Sequence, residues 1–233
     1  MKALLFDFFG TLVSYRNSRT EQGYHGSHQW VQDHGGKVSY EEFLALWVEV
    51  SASLDRRSDA DDSEFSMTEA GTQFLTRLLG RVPRDEQVGE FVDRYVAEWS
   101  TGVTYVEGVA AMLGELSATH RLAVVSNTHS PTLVPGQLAR MGVAELFDTV
   151  VLSVDLGWRK PHPAVYRAAL ERMGIRATDA IFVGDTYIAD YVGPRAAGMR
   201  ALLIDPGGLA DIPGEDRLHT IMDLTERVRD HRR

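Results

Sequence analysis

Three polar residues carry the first chemical signal, because each stands where an apolar run has just ended. Asp7 follows Ala3-Leu4-Leu5-Phe6, Ser126 follows Leu122-Ala123-Val124-Val125, and Asp185 follows Ile181-Phe182-Val183-Gly184. The chain has no cysteine, which excludes disulfides, thiolate metal sites and a cysteine nucleophile and leaves carboxylates to do such work. Its 33 acidic and 24 basic side chains give a net charge of −9, which argues against a broad basic face for nucleic acid. A small anionic substrate would need local positive charge, from a metal or from a few placed lysines and arginines.

The runs that end at these residues are continuous rather than alternating, which predicts strands covered on both faces, as in parallel sheets. The pattern recurs at Val150-Val151-Leu152 before Ser153 and at Ala201-Leu202-Leu203-Ile204 before Asp205. Helical periodicity over 109–116, 133–141 and 164–173 separates the later strands. This alternation predicts an α/β fold, a Rossmann-like open parallel sheet with right-handed crossovers. In such a sheet ligands bind at the carboxyl ends of the strands. Asp7, Ser126 and Asp185 can therefore meet at one site although they lie far apart in the chain.

One gap breaks the rhythm: roughly 90 residues between the first strand and the helix before the second, far more than a crossover needs. The stretch reads as helical. Ser39-Tyr40-Glu41-Glu42 and Ser66-Met67-Thr68-Glu69 are capping boxes, and a third helix starts near Arg84. Phe43, Trp47, Val50 and Leu54, then Ala70, Phe74 and Leu78, then Val88, Val92, Tyr95 and Trp99, form apolar stripes that read as a core of the insert's own. The acidic link 55–64 reads as a solvated loop, and the basic stretch 227–233 as a frayed helix end. With 44% hydrophobic residues the chain is globular in composition. The apolar stretch 3–9 is short and holds Asp7, so neither a membrane span nor an export signal is expected. A soluble cytoplasmic protein, monomer or homodimer, is the expectation.

Four motifs in order resemble those of the haloacid dehalogenase (HAD) superfamily of hydrolases. They are Asp7-Phe8-Phe9-Gly10-Thr11-Leu12 against the family's D-x-D-G-T-L; Val124-Val125-Ser126-Asn127; Arg159-Lys160-Pro161 with Tyr166 following; and Val183-Gly184-Asp185 with Asp190, onward to Gly198. The resemblance implies that Asp7 is a nucleophile forming an aspartyl-phosphate. It implies that Asp7, the carbonyl of Phe9, Asp185 and Asp190 hold Mg²⁺, with Asp190 ligating through water or orienting the lysine. An N-cap for the helix leading to Gly198 is an equally good reading of Asp190. Ser126 and Lys160 would hold the transferring phosphoryl oxygens, with Asn127 and Thr11 also on the substrate side. Gly10-Thr11 would turn backbone N–H groups toward an anion, and the Thr11 hydroxyl would fix that loop.

The chain departs from the family at Phe9, where phosphatases carry the aspartate that serves as general acid and then base. Three readings follow: a phosphatase of a small phosphorylated metabolite that finds its acid elsewhere, or acts on good leaving groups such as acyl or aryl phosphates; a 2-haloacid dehalogenase, whose branch has an aromatic residue here but replaces the acid at Asp185; and a non-catalytic relative that binds a phosphorylated ligand. His25 and His28 are the nearest substitute donors in sequence. The insert resembles the family's helical cap, giving a core of 1–15 and 101–233, a cap of 16–100, and hinges near 15–17 and 99–103.

Overall fold

The protein is described from a computed structural model, over residues 2–16 and 23–230. It divides into two compact units, Tyr15–Val103 and the remainder, Met1–Ser14 with Thr104–Arg233. The chain begins with β1 (Ala3–Phe6) and β2 (Val13–Tyr15). Four helices follow: α1 (His25–Asp33), α2 (Tyr40–Asp61), α3 (Met67–Leu79) and α4 (Asp85–Ser100). After β3 (Val103–Tyr105) come α5 (Val109–Ser117), β4 (Arg121–Ser126), α6 (Leu133–Arg140), β5 (Thr149–Leu152), α7 (Ser153–Leu156) and α8 (Pro163–Met173). The last elements are β6 (Ala180–Gly184), a π-helical turn (Tyr187–Val192), α9 (Gly193–Ala196), β7 (Arg200–Ile204), β8 (Arg217–Leu218) and α10 (Leu224–Asp230).

Six strands form one sheet in the order β5-β4-β1-β6-β7-β8, with every neighbouring pair parallel. β1 sits centrally, with Phe6 level with Val124 of β4 on one side and Val183 of β6 on the other. All four residues of β1 are fully buried, which is why its sequence shows no polar alternation. Leu5, Ala123, Val125 and Phe182 pack with Val165, Tyr166 and Ala169 of α8 in one cluster. The larger aliphatic and phenyl side chains among these, Leu5, Val125, Val165 and Phe182, each contribute about 1.5–3 kcal/mol on burial. The chain leaves β1 and returns twice, to β4 on one side and to β6 on the other. That topology places a crevice at the carboxyl end of β1.

The helical unit has an aromatic core. Phe43 and Trp47 of α2 both meet the Phe74 ring of α3 edge-on, at 5.1 and 4.9 Å, and Trp47 lies 4.2 Å from Tyr95 of α4. Ser39 and Glu42 form the full capping box. At Ser66 only half of one forms: Ser66 accepts the Glu69 N–H, while the Glu69 carboxylate takes both guanidinium nitrogens of Arg57. That pair corrects the acidic loop. α2 runs on to Asp61, because Leu54 and Ser58 keep its buried stripe while Arg57 ties its outer face to α3. The chain turns only at Asp62, with φ +59°. Helix α1 has no counterpart in the sequence reading.

The strands β2 and β3, which pair as a two-stranded sheet, carry the chain between the units. The expected hinge at 15–17 falls partly outside the described residues, as do 231–233. The frayed C-terminus is corrected up to residue 230. Leu224 and Val228 of α10 are buried, and Arg227 donates to the carbonyls of Gly214, Glu215 and Arg217. Among the described residues no helix is long and apolar enough to cross a membrane.

Candidate active site

The crevice is filled by charge. Lys160 sends its Nζ to Asp7 Oδ1 and to Asp190 Oδ1, each at 2.7 Å, and all three groups are buried. Asp185, exposed at the end of β6, joins them: one oxygen each of Asp7, Asp185 and Asp190 lie within 4.8 Å of one another. Asp7 and Asp190 thus share one ammonium, with a third carboxylate beside them. Asp7 is fixed at the middle of the sheet edge, where its N–H donates to Val183 O at 2.9 Å and extends the ladder past β1.

Local structure explains how such a cluster is held. Asn127, just past β4, accepts the Lys160 N–H on Oδ1 at 2.7 Å and donates from Nδ2 to Lys160 O at 3.0 Å. The lysine backbone is gripped on both sides before its side chain reaches Asp7. Asp190 is held from behind, its Oδ2 accepting the N–H groups of Asp185 at 3.2 Å and Thr186 at 2.9 Å. Tyr166 of α8 donates to Ala189 O at 2.5 Å and moors the π-helical turn that carries Asp190. Glycines make the close approaches possible. A Cβ on Gly10 (φ +88°) would lie 2.1 Å from Asp185 Oδ2, and one on Gly184 would lie 2.4 Å from Asp190 Cβ.

Burial pushes the Asp7 carboxyl up to about 7; Lys160 opposes this, while Asp190 and Asp185 add to it. Burial alone would lower the Lys160 ammonium, but Asp190 and Asp7 together hold it above its ordinary value. Partial desolvation, then the Asp190 carboxylate, raises Asp185. A cluster of three carboxylates and one cation is short of positive charge, so it suits a divalent cation with hard oxygen ligands. Asp7 and Asp185 are the ligands with oxygen to spare. The oxygens of Asp190 are already engaged by Lys160 and two backbone N–H groups.

The remaining sequence candidates divide. Ser126 ends β4, fully buried, with its hydroxyl donating to Asn127 O at 3.3 Å. Asn127 was expected on the substrate side; its amide is spent on Lys160. Asp190 does not cap the helix ahead of it, since its carboxylate turns back to Asp185 and Thr186. Phe9 is half-buried, its ring edge-on to Phe8 at 4.9 Å. The Gly10 N–H does not face an anion, because it donates to Val13 O at 2.8 Å. Nor does the Thr11 hydroxyl fix the loop. It is buried without a hydrogen-bond partner, and the loop is closed by Leu12 and Val13 N–H donating to Phe8 O. His28 packs edge-on to Tyr40 and Phe43 with Nε2 against Val38 O at 2.9 Å, and His25 stacks on Tyr40; both belong to the helical unit. The sequence reading missed Tyr166 as a mooring and Gly184 as a cradle. Their only signal was their place inside the third and fourth motifs.

A family model for haloacid dehalogenase-like hydrolases matches residues 56–204, a stretch that holds Ser126, Lys160, Asp185 and Asp190. Human haloacid dehalogenase-like hydrolase domain-containing protein 3 is 37% identical over 110 residues, 45% of this chain and 43% of that protein. The mouse protein of that name is 34% identical over 131 residues, 55% of this chain and 51% of its own length, so the chain spans about half the length of these relatives. The ribulose-1,5-bisphosphate 5-phosphatase of Halopiger xanaduensis is 25% identical over 230 residues, 98% of this chain and 93% of that one. Among solved structures, a 2-haloacid dehalogenase from Pseudomonas syringae superposes with TM-score 0.73 at 24% identity over 99% of both chains. A HAD phosphatase from Thermococcus onnurineus does so with TM-score 0.65 at 22% identity over 98% of both. With the matched model covering well over half its length on this parallel sheet, the chain belongs to the family of haloacid dehalogenase-like hydrolases.

Proposed function

We propose that the protein is a Mg²⁺-dependent phosphatase that hydrolyses a small phosphorylated metabolite through an aspartyl-phosphate on Asp7. The observation that carries this reading is the Lys160 ammonium, 2.7 Å from Asp7 Oδ1 and 2.7 Å from Asp190 Oδ1, beside the third carboxylate of Asp185. In this reading Asp7 and Asp185 hold the ion, with the Phe9 carbonyl as the third expected ligand. Bound Mg²⁺ supplies charge neutralisation that lets a carboxylate approach a phosphate dianion. Lys160 adds a positive charge for the phosphoryl oxygens, and Asp190 and Asn127 orient that lysine from its two ends. Ser126 and the unpartnered Thr11 hydroxyl offer polar groups on the substrate side. Most of the catalysis is positioning and electrostatic stabilisation.

A dehalogenase is the second reading, favoured by Phe9, which supplies no proton. Asp185 counts against it, because halide displacement on carbon needs no second carboxylate beside the nucleophile. The two separate in one assay. Mg²⁺-dependent phosphate release from an aryl phosphate, lost in Asp7→Asn, supports the phosphatase. Halide release from a 2-haloacid that survives chelation supports the dehalogenase.

A further inference from the structure

Aromatic and apolar residues stand close in the chain to members of the charged cluster. Arg159–His162 is a tight turn closed by His162 N–H donating to Arg159 O at 2.8 Å, and Lys160 is its second residue. The ring of Trp158, just before that turn, and the ring of His162, its last residue, stack at 4.1 Å and 11°. His162 is itself fixed, since its Nδ1 accepts the Ala164 N–H at 3.3 Å as the cap of α8. Trp158 is 37% exposed. It therefore presents a flat, pre-ordered surface two residues, or within about 7 Å of backbone, from the lysine. Beyond Asp185, Tyr187 and Ile188 are 41% and 52% exposed. After Asp7 stands Phe9.

From this rim, and on the phosphatase reading given above, we infer that the substrate is an aryl phosphate, its ring laid on the Trp158–His162 platform and its phosphoryl group on Lys160. The chemistry agrees with the geometry. One oxygen of the Asp7 carboxylate attacks phosphorus, and the bond from phosphorus to the aryl oxygen breaks with its electron pair staying on that oxygen. The phenoxide leaves as an anion and takes its proton from solvent. Water then attacks the phosphorus of the acyl phosphate, the bond to Asp7 breaks, and inorganic phosphate leaves with the water's proton lost to phosphate or solvent. Departure of the phenoxide needs no acid, and the hydrolysis step goes without the base that Phe9 also cannot supply, equally for every ester. An alkoxide leaving group would need the acid, and a missing general acid costs typically ~10²–10⁴-fold. A polyol ester would also find no hydroxyl-matching donors among Phe9, Trp158, Tyr187 and Ile188 except ring edges and one phenol.

The test compares three phosphates and two variants in Mg²⁺. Wild-type kcat/KM for 1-naphthyl phosphate should exceed that for glycerol phosphate by roughly 10²–10⁴-fold. Trp158→Ala should lower kcat/KM for 1-naphthyl phosphate about tenfold more than for acetyl phosphate, a ringless mixed anhydride with a good leaving group, and mostly through KM. Trp158→Phe keeps a ring and should recover most of that loss, which separates stacking from misfolding. A binding arm stands without turnover. In Asp7→Asn, calorimetry should find 1-naphthyl phosphate bound about tenfold tighter than inorganic phosphate, with the preference gone once Trp158→Ala is added. If no phosphate ester turns over but that preference persists, the phosphatase reading falls and the platform stands. Equal binding of ring and ringless phosphate, or equal loss on both in Trp158→Ala, overturns the platform.

Discussion

Both units are rich in side chains that can do chemistry, yet they use them in opposite ways. In the helical unit most of these groups close on a neighbour, with Trp47 Nε1 and Ser58 Oγ buried without a hydrogen-bond partner as the exceptions among the described residues. His28 Nε2 meets Val38 O at 2.9 Å, His34 Nδ1 meets Trp30 O at 2.8 Å with the two rings stacked at 3.8 Å, and Trp30 Nε1 donates to Glu90. Glu98 accepts the N–H groups of Gly26 and Ser27 and the Ser27 hydroxyl, at 2.5–2.9 Å, at the first turn of α1. At the sheet edge the opposite holds. Asp7 and Lys160 are joined across 153 residues, and one ammonium holds two buried carboxylates beside a third. Burial of like charges costs several kcal/mol unless each is paired. A fold that maintains such a cluster through Asn127, Tyr166 and two glycines is holding it for chemistry. Groups whose bonds close locally are architecture.

The sharpest way to break this contrast is at Asp7. Asp7→Asn should lower phosphatase kcat by at least ~10³-fold, as loss of a nucleophile does. It should also change stability in a direction no helical-unit variant will. The Asp7 carboxyl titrates near 7 when folded against 3.8 as its ordinary value. Between those values the folded protein holds a proton that the unfolded chain has released, so unfolding free energy falls as pH rises through that window. In chelated protein, thermal melts at pH 5 and pH 8 should therefore show Asp7→Asn flattening the decline and melting above wild type at pH 8. A melting temperature below wild type at pH 8 would mean that the Lys160 pair outweighs burial.

Next in size is Phe9→Asp. Restoring a carboxyl there should raise kcat/KM on an alkyl phosphate by about 10–100-fold while changing kcat/KM on an aryl phosphate little; unchanged alkyl kcat/KM would show that more than the acid is missing. Tyr166→Phe removes the hydrogen bond to Ala189 O. It should cost about 1 kcal/mol in chemical denaturation and lower kcat several-fold with KM held. A loss of stability alone would make Tyr166 architecture. The smallest catalytic effect belongs to Glu98→Ala, which strips the first turn of α1 of its acceptor. It should destabilise by about 2 kcal/mol and leave kcat within about twofold. A large fall in kcat there would erase the distinction between the two units.

What the sequence shows follows the same division. Strands buried on both faces must be apolar throughout, so β1, β4, β5, β6 and β7 and the polar residue ending each were readable from their runs alone. The two-residue β8 at the sheet edge has no such run. In the helical unit the apolar stripes marked three helices. α1 stayed hidden because its only strongly buried apolar residues are Trp30 and Val31, and its first turn is capped by Glu98 from far along the chain. The tail of α2 was misread because charge on an outer face looks like a loop until its partner is known; Glu69, the partner of Arg57, lies on another helix. At the site, strand-end positions announced Asp7, Ser126 and Asp185, and the family resemblance added Lys160. Which oxygen faces which nitrogen is a tertiary fact, and so Asn127 passed for a substrate ligand, while the sequence left Asp190 open between a cap, a metal ligand and a group orienting the lysine, the last of which matches its bond to Lys160.

The account rests on one bond, between Asp7 and phosphorus. Rapid acid quench of the Mg²⁺-loaded enzyme turning over radiolabelled aryl phosphate, followed by peptide mapping, tests it most directly. A hydroxylamine-labile phosphoryl group on the peptide that carries Asp7, absent in Asp7→Asn and absent after chelation, is the result predicted. Sustained turnover with no label on Asp7, or label that persists in Asp7→Asn, would contradict it.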